Sequence, residues 1–177
     1  MPSTPRRITQ LLAGLNAARD GFMAAVADVD PALRTTPGLV GELSVRELVA
    51  HVGYWAGHAG EALHRAAQGE LTAFGRDELS VDERNAVVAR VAAQTDFATA
   101  TAREQAAFEA FAAALALLDP EWLGERDADG DTLEEIIAFD GADHYREHML
   151  DIRSWFSGAA EPDEADDDAP DPEADGD

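Results

Sequence analysis

With 177 residues, the chain is long enough for one domain built round a sizeable hydrophobic core. It contains no cysteine, which excludes disulfides, thiolate metal ligands and a cysteine nucleophile; its thirteen cationic side chains are all arginine, which excludes a lysine Schiff base. The net charge of −23 is unevenly spread: residues 161–177 carry ten acidic groups and no basic one, leaving 26 acidic residues against the thirteen arginines elsewhere.

Hydrophobic residues recur with a helical period throughout, and no stretch alternates for long with the period of a strand. The first helix is expected from Pro5 to Val29, with Ile8, Leu11, Leu12, Leu15, Phe22, Val26 and Val29 forming its apolar stripe. A loop with "DP", "PG" and Gly41 follows. Three later helix starts carry a capping residue with Glu three positions on: "SVRE" at 44–47, "SVDE" at 80–83 and "DTLE" at 131–134. The first of these opens a helix to about Ala67. The second opens a segment, 81–118, with a break or kink expected near Thr95, where Thr95, Thr99 and Thr101 weaken helix propensity. The third opens a helix to about Phe156.

The expected architecture is therefore all-α, a four-helix bundle over residues 1–157. The segment 158–177, "GAAEPDEADDDAPDPEADGD", lacks core-forming side chains beyond alanine and is expected to be a disordered acidic tail. The acidic body argues against nucleic acid as a partner, since phosphate contacts need clustered arginine or lysine. No stretch approaches transmembrane length and "MPSTPRRITQLL" has no uninterrupted apolar run, so the expectation is a cytoplasmic protein with no membrane partner. Homodimerisation through a helix face is open to such a bundle, although no apolar stripe demands it.

Two of the five histidines, His144 and His148, stand four apart on the expected inner face of the last helix, in line with Ile137, Asp140, Ile152 and Trp155. Alone, such a pair is a weak signal, better explained as half-buried histidines bonded to neighbours. His51, in line with Leu48 and Trp55 on the second helix, is a third imidazole on an apolar face, and one divalent ion would satisfy all three. Three neutral imidazoles with positions left open suit a catalytic zinc, nickel or iron better than a closed structural site. Asp140, one turn before His144, is the candidate catalytic carboxylate: a ligand, an orienter of an imidazole, or a base. Glu47 has the same options, but the capping box already accounts for it. His58, two turns from His51, lies too far along the axis to share one ion with it, and either sits along a pocket or faces solvent. His64 is expected in solvent. Trp55 and Trp155 share the histidine faces and are expected to line a pocket, whereas Tyr145 points about 100° away from His144, towards a neighbouring helix.

Three motifs, "ELSVRELVAHVGYW" at 42–55, "VDERNAVVAR" at 81–90 and "HYREHMLDIRSW" at 144–155, together resemble the DinB/YfiT-like superfamily, most of all its ClbS/DfsB-like subgroup, over residues 5–157. The resemblance implies a four-helix bundle with a metal triad at His51, His144 and His148, and zinc or nickel as the ion. The activities it implies are detoxifying hydrolysis of a small electrophilic substrate, or transfer involving a low-molecular-weight thiol; a non-catalytic metal-binding bundle or dimeric stress protein is the remaining alternative. The chain departs from the family pattern at Asp140 and Gly141, where "NT" often stands, and at Leu43, in place of an aromatic. A glycine inside a helix costs about 1 kcal/mol relative to alanine, so a local bend or close backbone approach is expected at Gly141.

Overall fold

The computed structural model describes residues 4–74 and 79–159, and within them the chain is all-helical, with no β-strand. The six α-helices are α1 (Thr4–Asp28), α2 (Val45–Ala67), α3 (Val81–Ala93), α4 (Phe97–Leu117), α5 (Leu133–Ile137) and α6 (His144–Ala159). A π-helical segment, Ala138–Asp143, joins α5 to α6. Short 3₁₀ turns occupy the connections after α1, α2 and α4. Most of the acidic segment assigned to 158–177 lies outside the described residues; its first two positions extend α6.

Local chemistry accounts for where the helices start. Ser44 and Ser80 accept the backbone N–H of Glu47 and Glu83, whose carboxylates take the serine N–H in return, so both expected capping boxes form. The third box is shifted by one residue from the expected position: Thr132 caps and Glu135 answers it. Asp131 misses that place because Asp127 folds the preceding loop round its own Oδ1, which accepts N–H groups from Asp129, Gly130 and Asp131. The expected interruption near Thr95 is a full break at Gln94–Asp96, after which Asp96 accepts the N–H of Thr99 and restarts the chain as α4.

The core lies where α2 meets α4 and where α1 meets α6. Helix α2 buries a face rich in small residues, with Ala56, Ala59, Ala62 and Ala66 among them, so α4 can come close. At Gly53 the approach is closest: a Cβ there would stand 2.8 Å from Glu104 Cα and 3.1 Å from its Cβ. Glu104 is itself wholly buried. Arg19 of α1 donates to both its oxygens at 2.8 Å, and the Tyr145 hydroxyl of α6 donates to Oε1 at 2.7 Å. The Arg19 guanidinium also covers the Phe108 ring at 4.5 Å. The direction expected for Tyr145 is thus the observed one.

Gly141 sits inside the π segment with non-helical torsions (φ −109°, ψ −107°), and a Cβ there would come within 3.0 Å of Phe111 Cε1 and 3.3 Å of Leu15 Cδ1. The bend and close approach expected at this glycine are both present. What continuous helix geometry does not provide for is the π register on either side of it, which ends the regular ladder for six residues.

Two substitutions test this arrangement by urea denaturation. Gly53→Ala forces a methyl group against the α4 backbone and should cost about 1–3 kcal/mol, as overpacked cores do. Arg19→Met leaves the Glu104 carboxylate buried without its cation and should cost about 3–5 kcal/mol.

Candidate metal centre and adjoining cleft

Helix α2 enters at the Ser44 box and buries Leu48, Val52 and Trp55 on the side that also carries His51. Helix α6 presents His144 and His148 one turn apart towards the same place. The structure brings these three together: His51 Nε2 and His144 Nε2 are 3.0 Å apart, and one nitrogen from each of the three rings lies within 4.8 Å of the others. The ring centroids are 4.7–5.1 Å apart.

The environment keeps two of the rings neutral. Burial, with the neighbouring His148 adding to it, lowers His51 to a pKa of about 4; burial, then His148 and His51, lowers His144 to about 3. A neutral imidazole offers a lone pair. The buried Nδ1 of His144 has no hydrogen-bond partner among the described residues. His148 Nδ1 lies 2.8 Å from Asp151 Oδ2, and since a carboxylate accepts, this contact places a proton on Nδ1, so that the neutral ring has its lone pair on Nε2. Three convergent nitrogen donors, an orphaned buried nitrogen and a carboxylate behind one ring fit a divalent cation. Asp151 was not singled out from the sequence; its spacing of three from His148 along one helix was the available signal.

Asp140 is placed elsewhere. It is not one of the clustered side chains. Its Oδ2 lies 2.7 Å from His58 Nδ1, and it is 5% exposed. Burial raises its pKa, opposed by the hydrogen bond to His58. The π segment accounts for the difference from the straight-helix expectation, because Asp140 lies within it while His144 begins the regular turns of α6.

His58 and Asp140 are on the wall of a cleft of about 730 Å³, whose lining also includes Trp55, Phe74, Ile136 and Phe139. Trp55 links the two regions: its ring centroid is 6.5 Å from His51, 6.2 Å from His144 and 5.0 Å from His58. Its Nε1 donates to Asn85 Oδ1 of α3 at 3.0 Å. Trp55 therefore lines the cleft, as expected. Trp155 does not; it packs on the core and edge-on to Phe156. His64 is exposed and bonded to Gln68, and Glu47 serves the α2 cap.

No family model matches the sequence, and no curated protein matches it. Solved structures do share its fold. The colibactin self-resistance protein ClbS, crystallised in complex with a double-stranded DNA, superposes with a TM-score of 0.68 at 16% identity, over 83% of this chain and 93% of that one. An uncharacterised protein from Escherichia coli UTI89 gives 0.70 at 15% identity, over 86% and 94% respectively. The chain has a ClbS-like helical fold. At these identities the likeness concerns the fold alone.

The depressed histidines set the sign of a pH effect. An unfolded histidine takes up its proton near pH 6.5, whereas folded His51 and His144 stay neutral to about pH 4 and 3. Their contribution to stability is whole above pH 6.5 and is lost as the pH falls towards those values, with a limiting slope of about 1.4 kcal/mol per pH unit for each histidine. In urea denaturation of chelator-treated protein between pH 7 and 5, His51→Gln should reduce this slope by about one histidine's share. An unchanged slope would mean that His51 is protonated in the fold.

Proposed function

We propose that the protein is a metal-dependent detoxification enzyme, a hydrolase for a small electrophilic molecule, built on a DinB/YfiT-like four-helix bundle. The observation that carries this reading is the convergence of His51, His144 and His148 from two helices onto one point. Its support from the fold is coarser: one structural neighbour is a self-resistance protein, in keeping with a role against a toxic small molecule.

In this reading the three imidazoles hold one zinc or nickel ion. When bound, the ion supplies Lewis acidity towards a water or a thiol. The remaining work belongs to the chain. Asp151 holds the His148 ring in the tautomer that presents Nε2. Trp55 closes the side of the histidine cluster that faces the cleft and supplies an apolar wall for a substrate. Asp140 and His58 face that substrate from the wall beyond Trp55.

A low-molecular-weight thiol as cosubstrate is the second reading, and the cleft speaks against an anionic one. Among the described residues its lining carries Asp127, Asp129, Asp131, Glu135 and Asp140 with a single arginine, Arg84. The same charge disfavours phosphate, so the nucleic acid in the neighbour's crystal is no part of the proposal.

Metal content of the untagged protein, measured by mass spectrometry, tests the reading. Close to one divalent ion per chain is expected, and close to none in His51→Ala. Chelation should leave most of the helical circular dichroism, whereas a scaffold that depends on its metal would unfold. A wild-type protein that carries no metal and takes up neither added nickel nor added zinc overturns the proposal.

A further inference from the structure

His58 has the features of a base rather than those of a packing residue. Its ring lies between two aromatics, with Trp55 edge-on at 5.0 Å and Phe74 at 4.6 Å, so it has little freedom to rotate. Its Nδ1 is 2.7 Å from Asp140 Oδ2, and the carboxylate can only accept, so Nδ1 carries the hydrogen. In the neutral ring that leaves the lone pair on Nε2, which has no hydrogen-bond partner among the described residues. The imidazole is 18% exposed and belongs to the wall of the 730 Å³ cleft, a volume suited to a small organic ligand. A histidine fixed in one tautomer by a buried carboxylate and open to a cavity on its other nitrogen has the geometry of a general base.

We infer that His58 is the catalytic base of this cleft, that Asp140 is its positioning residue, and that the substrate is an apolar electrophile bearing no negative charge. The inference rests on the hydrolase reading but not on the metal. The aromatic and aliphatic wall of Trp55, Phe74, Ile136 and Phe139 takes the apolar body, and among the described residues the five carboxylates of the lining outnumber Arg84 and repel an anion. With an ester as electrophile, the water oxygen bonds to the carbonyl carbon as His58 Nε2 takes the water's proton. The tetrahedral intermediate then breaks its bond to the leaving oxygen, which departs with the electron pair, and the imidazolium releases its proton to that oxygen or to solvent.

The probe is p-nitrophenyl butyrate, with mono-p-nitrophenyl succinate as its anionic counterpart, hydrolysed by wild-type protein, His58→Gln, Asp140→Asn, His51→Ala and His64→Gln. Circular dichroism confirms the fold of each. Removing a general base typically costs 10²–10⁴-fold, so His58→Gln should lower kcat by about 100-fold or more. Asp140→Asn should lower kcat by roughly tenfold and leave KM unchanged, since it acts through the His58 ring and not on the substrate. His64→Gln, outside the cleft, should match wild type, and the butyrate should be preferred over the succinate by about tenfold or more in kcat/KM. A wild-type rate no faster than buffer, or a His58→Gln variant as fast as wild type, overturns the assignment. Preference for the succinate overturns the substrate class. His51→Ala separates the two proposals: a metal-free variant that keeps its rate while His58→Gln loses it retains the base and removes the metal from this reaction.

Discussion

The Glu104 carboxylate, wholly buried and bonded to Arg19 and Tyr145, is the constraint on which the rest of the arrangement depends. A charge in such a position is tolerable only when its hydrogen bonds are complete, and here three helices supply the parts: the acid from α4, the guanidinium from α1 and the hydroxyl from α6. Losing the guanidinium leaves the buried charge without its cation, and losing the acid leaves both Arg19 and Tyr145 without this partner. The network therefore stabilises one relative placement of the helices more strongly than apolar packing, which tolerates sliding.

That placement reaches the histidines directly. Tyr145 is the residue after His144, so fixing its hydroxyl on Glu104 sets the rotation of α6 about its axis and, with it, the direction of the His144 and His148 pair. On the facing side, Gly53 admits the Glu104 backbone two residues after His51, which fixes the depth of α2 against α4. One residue of α4 thus positions both halves of the candidate centre without belonging to it. The cost of burying three imidazoles is met in the same way: a rigid frame holds them together, and burial keeps His51 and His144 neutral and able to donate lone pairs.

Much of this was legible in the sequence because it depends on near neighbours. Capping boxes, the break near Thr95 and the shared faces of His51, Trp55, His144 and His148 follow from spacings of three, four and seven. The glycine at 141 signalled a bend because helix interiors rarely keep one without reason. What escaped was whatever depends on the exact turn count or on a partner far along the chain. The third cap moved one residue because Asp127 had already ordered the loop before it. Asp140 kept its place in the sequence but not on the helix face, since the π register intervenes between it and His144. His58 was weighed only against His51 on its own helix, whereas its partner lies 82 residues away.

The π segment also separates two electrostatic environments that an unbroken helix would merge. Had Asp140 continued the face of His144, a second carboxylate, besides Asp151, would stand beside the imidazoles. Its charge would raise the pKa of those rings and hold them protonated at higher pH, which opposes lone-pair donation. Turned instead to His58, the same carboxylate fixes a single imidazole at the cleft, while burial, then His148 and His51, keep the His144 pKa low. Trp55 stands between the two, its ring in contact with His58 on one side and with the His51 and His144 rings on the other. On this argument the irregular segment turns the Asp140 carboxylate from the histidine cluster towards His58, and Gly141, against Phe111 and Leu15, is where the fold accommodates it.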